Sequence, residues 1–445
     1  MSLPERTYEA VIAACRPAFH AAGLVHPGAR KAVVGRRESL ARFRKWSADA
    51  RDPDRPVVWV HAPSVGEALM AQAIIGELKE ARPDVQIAFT HFSPSGERIA
   101  PRIGADVWGY SPYDTRTPVR RTLAAVDPDV IAFVRTEVWP VITREAAQTG
   151  TRMVLVNAVL SEGSGRLRWL GRPFLEAAYR RLDQVGAVSE AHADRYEILG
   201  VPPGRVRVTG DARFDQVWHR IEERGLAGLR HDPDAARRVP EELRGYWTVL
   251  DDPESFTLVA GSTWPADEKV LLPAVAVLRR NRPFRMVIAP HEPTTPHLEA
   301  LERRLDRHAL RHTRLSALVA ARAAASEVVI VDRLGILADL YALGDAAFVG
   351  GGFGRDGLHS VIEPAAIGVP VLFGPHHGNA REAGALAAAG GGFAVEGAGG
   401  LEDRLRDLMD EPIRIHSVGE AARAYVGSET GAAERNAELI LERLD

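Results

Sequence analysis

From Val57 onward, short apolar and β-branched runs alternate with helical patterns, and this rhythm limits the possible folds more than any other feature of the chain. VVWVHAP, QIAFTHF, VIAFV, RMVLVNAV and QVGAV read as strands, with helical segments such as EALMAQAIIGELKEA between them. A strand followed by a helix must cross back over the sheet before the next strand begins. This gives βαβ units and a parallel sheet. The rhythm lapses in HDPDAARRVPEELRGYW, then restarts with TLVAGST, FRMVIAPHE, VVIVD, AAFVGG, PVLFGP and GFAVE. The expectation is an α/β protein of two doubly wound, Rossmann-like domains, with ligands in a cleft at the carboxyl ends of the strands. The boundaries read as an N-terminal basic, amphipathic and helical segment over 1–50, a first domain over 51–228 and a linker over 229–255. A second domain follows over 256–425, and a C-terminal helix over 426–445 is expected to pack back on the first domain.

With 46% hydrophobic and 26% charged residues, the 445-residue chain has enough apolar side chain for real cores. A net charge of −3 supplies no global field toward nucleic acid, and interleaved basic and aromatic residues are not evident. Cys15 is the only cysteine, which excludes an internal disulfide and a cysteine metal cage and fits a cytoplasmic address. The histidines lack ligand spacing, so neither a metal nor a cofactor is expected. Near the N-terminus, Arg16, Pro17 and His20 interrupt an apolar stretch short of the roughly 20 residues a membrane span needs. Next, Arg30, Lys31, Arg36, Arg37, Arg42, Arg44 and Lys45 face only Glu38. This segment is either a solvated helix or a surface that rests on anionic lipid, at roughly 1 kcal/mol per well-placed cation.

The stretch AFVGGGFGRDGLHSVIEPAAIGVPVLFGP, from Ala347, contains G-x-G-x-x-G at Gly352, Gly354 and Gly357. A dinucleotide fingerprint belongs on the first strand of its domain, with an acidic residue about 20 positions on. Here it follows roughly the fourth strand, and the next strand ends in Gly374-Pro375. A mononucleotide fits better, with phosphate on loop amides at a helix start and ribose on Glu363, one turn beyond His359. Glu363 reads equally as a solvated carboxylate favoured by the helix dipole. In VAGSTWPADEKVLL, Ser262 and Thr263 offer hydroxyls to the same ligand, with simple capping as the alternative. In the first domain, Ser64 and Glu67 have capping-box spacing, while Glu67 also sits where a general base would face the cleft. Glu137, in VRTEVWP, follows another strand. Arg213, in TGDARFD, either faces developing phosphate charge or makes a surface salt bridge.

Taken in order, SVGE, TEVWP, NAVLSEGS, GDARFD, AGST and LHSVIEPAAIGVPVLFGPHHGN resemble the 3-deoxy-D-manno-octulosonic acid (Kdo) transferases. These are inverting glycosyltransferases of the GT-B fold that build the inner core of lipopolysaccharide. The resemblance runs from about Val57 to Gly390, and SVGE with TE-x-WP is its specific part. It implies a proton acceptor at Glu67, a transition-state-stabilising carboxylate at Glu137 and a cation, usually lysine, at Arg213. Donor-nucleotide contacts are implied at Pro290, His291, Gly335, Ile336, Leu337, Ser360, Val361, Ile362 and Glu363, near Ser262 and Thr263, and the glycine-loop reading adds Gly351, Gly352 and His359. The chain departs from the family pattern at Pro290, where arginine is common, at Ile336, where an acid is usual, and at Ser360, where asparagine is common. The resemblance implies transfer of Kdo from CMP-Kdo to a lipid A precursor, lipid IVA, at the cytoplasmic face of the inner membrane. Attachment there would be peripheral, through the basic N-terminal segment. Two alternatives stay open: a GT-B enzyme using a UDP-sugar, and a non-catalytic relative that only binds nucleotide.

Overall fold

The computed structural model describes residues 2–169, 171–232, 234–250, 255–318 and 326–444. The chain forms two compact units, Met1–Gln216 with Glu429–Asp445, and Val217–Ser428. Part of the stretch read as a linker, residues 233 and 251–254, lies outside the described residues. The rest of it carries short helices, Leu229–His231, Ala235–Arg238 and Glu241–Leu250, and belongs to the second unit.

The first unit is built on β1 (Val57–His61), β2 (Gln86–His91), β3 (Val107–Tyr110), β4 (Val130–Val134), β5 (Arg152–Ala158), β6 (Gln184–Ala187) and β7 (Val206–Val208). All are parallel, in the order β3-β2-β1-β4-β5-β6-β7. The strand order reverses between β1 and β4, the place where a doubly wound sheet opens a crevice at its carboxyl edge. β1, β2 and β4 are buried along their whole length, as a sheet covered on both faces requires. Preceding the sheet is a helical hairpin, α1 (Leu3–Val25) and α2 (Pro27–Asp49), in which α2 packs on β3. Gly109 in β3 makes that close approach possible, since a Cβ there would lie 2.5 Å from Ser39 Oγ.

The basic run on α2, read as either a solvated helix or a lipid-facing surface, is partly internal. Lys31 pairs with Glu97 at 2.7 Å. Arg42 lies over the Trp108 ring and donates to the Trp108 carbonyl at 2.9 Å. Arg36 is buried against Phe19, Phe92, Tyr110 and Tyr113. Arg30, Arg37, Arg44 and Lys45 remain exposed. No helix among the described residues is long and apolar enough to cross a membrane.

The second unit has the same plan, with β8 (Phe256–Thr263), β9 (Phe284–Pro290), β10 (His312–Arg314), β11 (Val328–Ile330), β12 (Ala346–Val349), β13 (Val371–Phe373) and β14 (Gly392–Ala394). They run parallel in the order β10-β11-β9-β8-β12-β13-β14, so β8 and β12 meet at the reversal. The glycine loop therefore follows the fifth strand of its unit, not the fourth, and it does so at the switch point.

After Ser428 the chain rejoins the first unit, where helix Ala432–Leu441 packs on α3 (Val65–Ala81) and β5. Its Asn436 is fully buried. The Asn436 Oδ1 accepts from the Asn157 amide at 2.9 Å and the Thr209 hydroxyl at 3.2 Å, and its Nδ2 donates to the Ala432 carbonyl at 2.7 Å. Asn436→Ala strands the Asn157 amide in a dry site, leaves the Thr209 hydroxyl only the longer bond to the Ala187 carbonyl, and is expected to destabilise the first unit by about 2 kcal/mol. Urea unfolding followed by tryptophan fluorescence measures the loss.

Candidate active site

Glu67 enters the crevice because β1 delivers the chain to its carboxyl edge and α3 begins at once after Ser64. The spacing that suggests a capping box makes a different contact. Ser64 caps no amide with its side chain; its hydroxyl donates directly to Glu67 Oε2. Glu67 Oε1 also lies 3.8 Å from Arg135 Nη1, and the Glu67 side chain keeps 18% of its surface exposed. The result is a carboxylate held in place yet reachable.

Arg135 was not picked out from the sequence, although it immediately follows a strand and stands two residues before Glu137. Its φ is +68°, in the left-handed region, which costs an L side chain about 1–2 kcal/mol. Neighbouring groups hold it there. Its amide donates to the Val156 carbonyl at 3.0 Å, and its carbonyl accepts from the buried Tyr196 hydroxyl at 3.1 Å. Tyr179, also buried, donates to the next carbonyl, Thr136, at 2.8 Å. Glu137 itself pairs with Arg166 Nη2 at 3.0 Å. The tryptophan of TEVWP fixes the far end of the loop, because Trp139 Nε1 donates to His61 Nε2 at 3.1 Å and its ring stacks on Phe92. His61 Nδ1 contacts the Thr90 hydroxyl at 2.9 Å, and burial drives the His61 pKa down to about 3.

Arg213 is more than a surface ion pair. Its Nε and Nη2 reach Asp211 Oδ2 at 3.0 and 2.8 Å, and its amide reaches Oδ1 at 3.0 Å. Burial pushes the Asp211 carboxyl up, but Arg213, with a further contribution from Arg135, holds it below its usual range. The turn is located by Asn157, whose Oδ1 accepts from the Ala212 amide at 2.8 Å. Asn157 has φ +49°, a conformation asparagine tolerates better than most residues. The first unit thus holds two separate pairs here, Glu67 with Arg135 and Asp211 with Arg213, while Glu137 is paired with Arg166.

In the second unit, the glycine loop differs from its reading as a phosphate nest. The Asp267 carboxylate fills it, accepting from the amides of Gly351 at 2.9 Å, Trp264 at 2.8 Å and Phe353 at 3.3 Å. Burial raises the Asp267 pKa against the pull of these donors. Gly352 serves close packing, since a Cβ there would lie 2.7 Å from the Gly374 amide nitrogen. Asn379 closes the loop by bonding both the amide and the carbonyl of Leu358, at 3.0 and 2.9 Å.

Around this loop, Trp264, His291 and His359 form one ring cluster. Centroids are 4.9 Å apart for Trp264 and His291 and 4.3 Å for the stacked histidines. Trp264 Nε1 donates to His359 Nε2 at 3.2 Å, and burial, then His291, lowers the His359 pKa against Asp356. Ser262, half-buried, has φ +52°; Thr263 and Pro290 are buried. Glu363 lies 3.6 Å from Arg220 Nη1 and keeps about a third of its side chain exposed (31%). Burial raises its pKa, with Arg220 opposing and Asp339 adding to the rise. It is a partnered carboxylate, not a free solvated one. Gly335, φ +92°, is exposed before Ile336 and Leu337, and nothing lies within 4 Å of a Cβ placed there. Val361 and Ile362 are buried, which leaves main chain for any ligand contact, whereas Ser360 is exposed and accepts from the Ile362 amide at 3.4 Å. Among the described residues, no group of three or more His, Cys, Asp or Glu is arranged to hold a metal ion.

Residues 36–216 match a family model described as 3-deoxy-D-manno-octulosonic-acid transferase (kdotransferase). A 3-deoxy-D-manno-octulosonic acid transferase of Bordetella pertussis is 29% identical over 414 residues, covering 90% of each chain. One of Haemophilus influenzae is 25% identical, also over 414 residues, covering 92% of each. These matches, which together span most of the chain, support a Kdo transferase.

Solved structures add the fold. A glycosyltransferase from Rickettsia africae superposes with a TM-score of 0.58 at 14% identity, covering 88% of this transferase and 99% of that chain. UDP-GlcNAc 2-epimerase from Neisseria meningitidis superposes with a TM-score of 0.59 at 14% identity, covering 87% and 99%. The two Rossmann-like units are those of a GT-B enzyme.

Among the groups around Glu67, His61 gives the transferase an acid sensitivity with a definite sign. Its folded pKa lies near 3, against about 6.5 in the unfolded chain. The stability it contributes is therefore complete above pH about 6.5 and is lost as the pH falls toward 3. Between pH 7 and 5, urea unfolding is expected to show about 2 kcal/mol more loss for the unaltered chain than for His61→Gln.

Proposed function

We propose that this transferase moves Kdo from CMP-Kdo to a sugar hydroxyl of a lipid A precursor. Glu67 accepts the proton of that hydroxyl as its oxygen bonds to the anomeric carbon of Kdo. The bond from that carbon to the CMP phosphate oxygen breaks, and its electron pair leaves with CMP. The supporting observation is the Glu67 carboxylate itself, accessible at the switch point and oriented by the Ser64 hydroxyl and the Arg135 guanidinium. Direct proton removal of this kind contributes roughly 10²–10⁴ in rate. Glu137 stabilises the positive charge that grows on the sugar, and Arg213 meets the negative charge that grows on the phosphate.

The nucleotide reading is narrower than the sequence alone suggests. Asp267 occupies the amides of Gly351 and Phe353, so the CMP phosphate is assigned to the Ser262 hydroxyl and the His291 side. The ribose goes to Glu363, whose side chain lies beside Arg220 and stays about a third exposed (31%). Gly335, Ile336 and Leu337 contribute backbone at an open surface. A glycolipid acceptor lies in a bilayer, and the N-terminal hairpin suits shallow contact with one. Leu24 and Val25, each 86% exposed, project at its turn, and Arg30 and Arg37 are exposed on the helix that follows. That contact is peripheral and is assigned to the cytoplasmic face of the inner membrane.

The test is an assay of the purified protein with CMP-Kdo and lipid IVA, with CMP binding followed by calorimetry. Product is expected from the unaltered chain. In Glu67→Ala the rate is expected to fall by at least a hundredfold with CMP affinity kept within about twofold. Tight UDP binding without CMP binding would instead favour a UDP-sugar enzyme.

A further inference from the structure

A pocket of about 350 Å³ opens between α1, α2 and the segment after β3, and neither the transfer chemistry nor the nucleotide reading uses it. Arg16, His20, Arg36, Arg37, Tyr113 and Arg121 supply its polar lining. None of the described lining residues is acidic, and among the described residues no ion pair joins these arginines to a carboxylate. Arg16 and Arg36 both lie over the Tyr113 ring, at 5.1 and 4.8 Å. Like charges brought together in a partly dry site repel strongly unless an anion sits among them.

The hydrogen-bonding inventory points the same way. Arg36, 8% exposed, has a buried Nε without a partner, although its Nη1 donates to the Ala32 carbonyl at 3.0 Å. His20 Nε2 and the Tyr113 hydroxyl are also buried without a partner. Buried polar groups left unpaired are uncommon and costly, and here three of them line one cationic pocket. Leu40 and Phe43 add apolar wall, so the space suits an anion attached to a carbon skeleton. Its size is that of a small-molecule site, about 300–1,000 Å³.

We infer that this pocket binds a phosphate monoester, with guanidinium groups of Arg36, Arg37 and Arg121 on the dianion and the Tyr113 hydroxyl as a further donor. Guanidinium forks match phosphate oxygens in pairs, which favours a monoester over a singly charged diester. The ester is either water-soluble or a headgroup at a bilayer surface, and the chemistry recognised is the same. The inference does not depend on Kdo transfer, since binding is read without any sugar donor.

Glycerol 3-phosphate and inorganic phosphate are titrated calorimetrically into the full chain. In parallel, the chain is sedimented with phosphatidylcholine vesicles containing either phosphatidic acid, a monoester, or phosphatidylglycerol, a diester. Saturable binding of glycerol 3-phosphate assigns a soluble occupant. Binding to phosphatidic acid in preference to phosphatidylglycerol assigns a bilayer headgroup. In whichever arm binds, Arg121→Gln is expected to weaken affinity tenfold or more, and Tyr113→Phe roughly fivefold. Tyr113→Phe deletes a hydroxyl that is unpaired without ligand, so its melting temperature is expected to hold or rise. Absence of monoester binding in both arms, or affinity unmoved by either substitution, overturns the inference.

Discussion

At the end of β4 the chain reverses through a left-handed Arg135, and hydrogen bonds from two helices and a strand keep it there. The Val156 carbonyl takes its amide, Tyr196 bonds its carbonyl, and Tyr179 bonds the next one. Left alone, such a residue would relax to the right-handed or extended region, gaining about 1–2 kcal/mol. The surrounding bonds over-determine the strained turn, a pattern found where a side chain must be aimed. What it aims is a guanidinium at Glu67. A second carboxylate–arginine pair, Asp211 with Arg213, follows β7 in the same unit.

The same economy governs the motifs. TEVWP carries Glu137, but its tryptophan ties the loop to β1 through His61, and its proline opens helix Pro140–Thr149, whose first amides bond Asp114. The asparagine of NAVLS supports GDARFD by accepting the Ala212 amide. In the second unit, Asn379 of HHGN closes the glycine loop on Leu358, and Asp267 fills the loop from within. Much of each motif is therefore scaffold.

The buried strands were legible in the sequence because a parallel sheet covered on both faces needs continuous apolar runs. β3, β7 and β10 were not. They lie at sheet edges and are short, and β10 reads His-Thr-Arg, a sequence with no hydrophobic signal. Within the site, Glu67, Glu137 and Arg213 stood out as charged residues beside strand ends. Arg135 and Asp211 did not, because their importance lies in pairing across the fold and in a backbone angle that spacing does not reveal. The glycine loop misled for a related reason. Its amides suit an anion, but the anion that reaches them is a side chain of this same chain, 84 residues earlier for the Gly351 contact.

The role proposed for Arg135 is to orient Glu67 as the base. A double-mutant cycle on the single-turnover rate of Kdo transfer tests this most directly, using Glu67→Gln, Arg135→Asn and the pair together; asparagine tolerates the left-handed turn. If the two residues act as a unit, the double variant is no slower than Glu67→Gln alone. Rate losses that multiply would show that the two residues contribute independently, and would rule out that role.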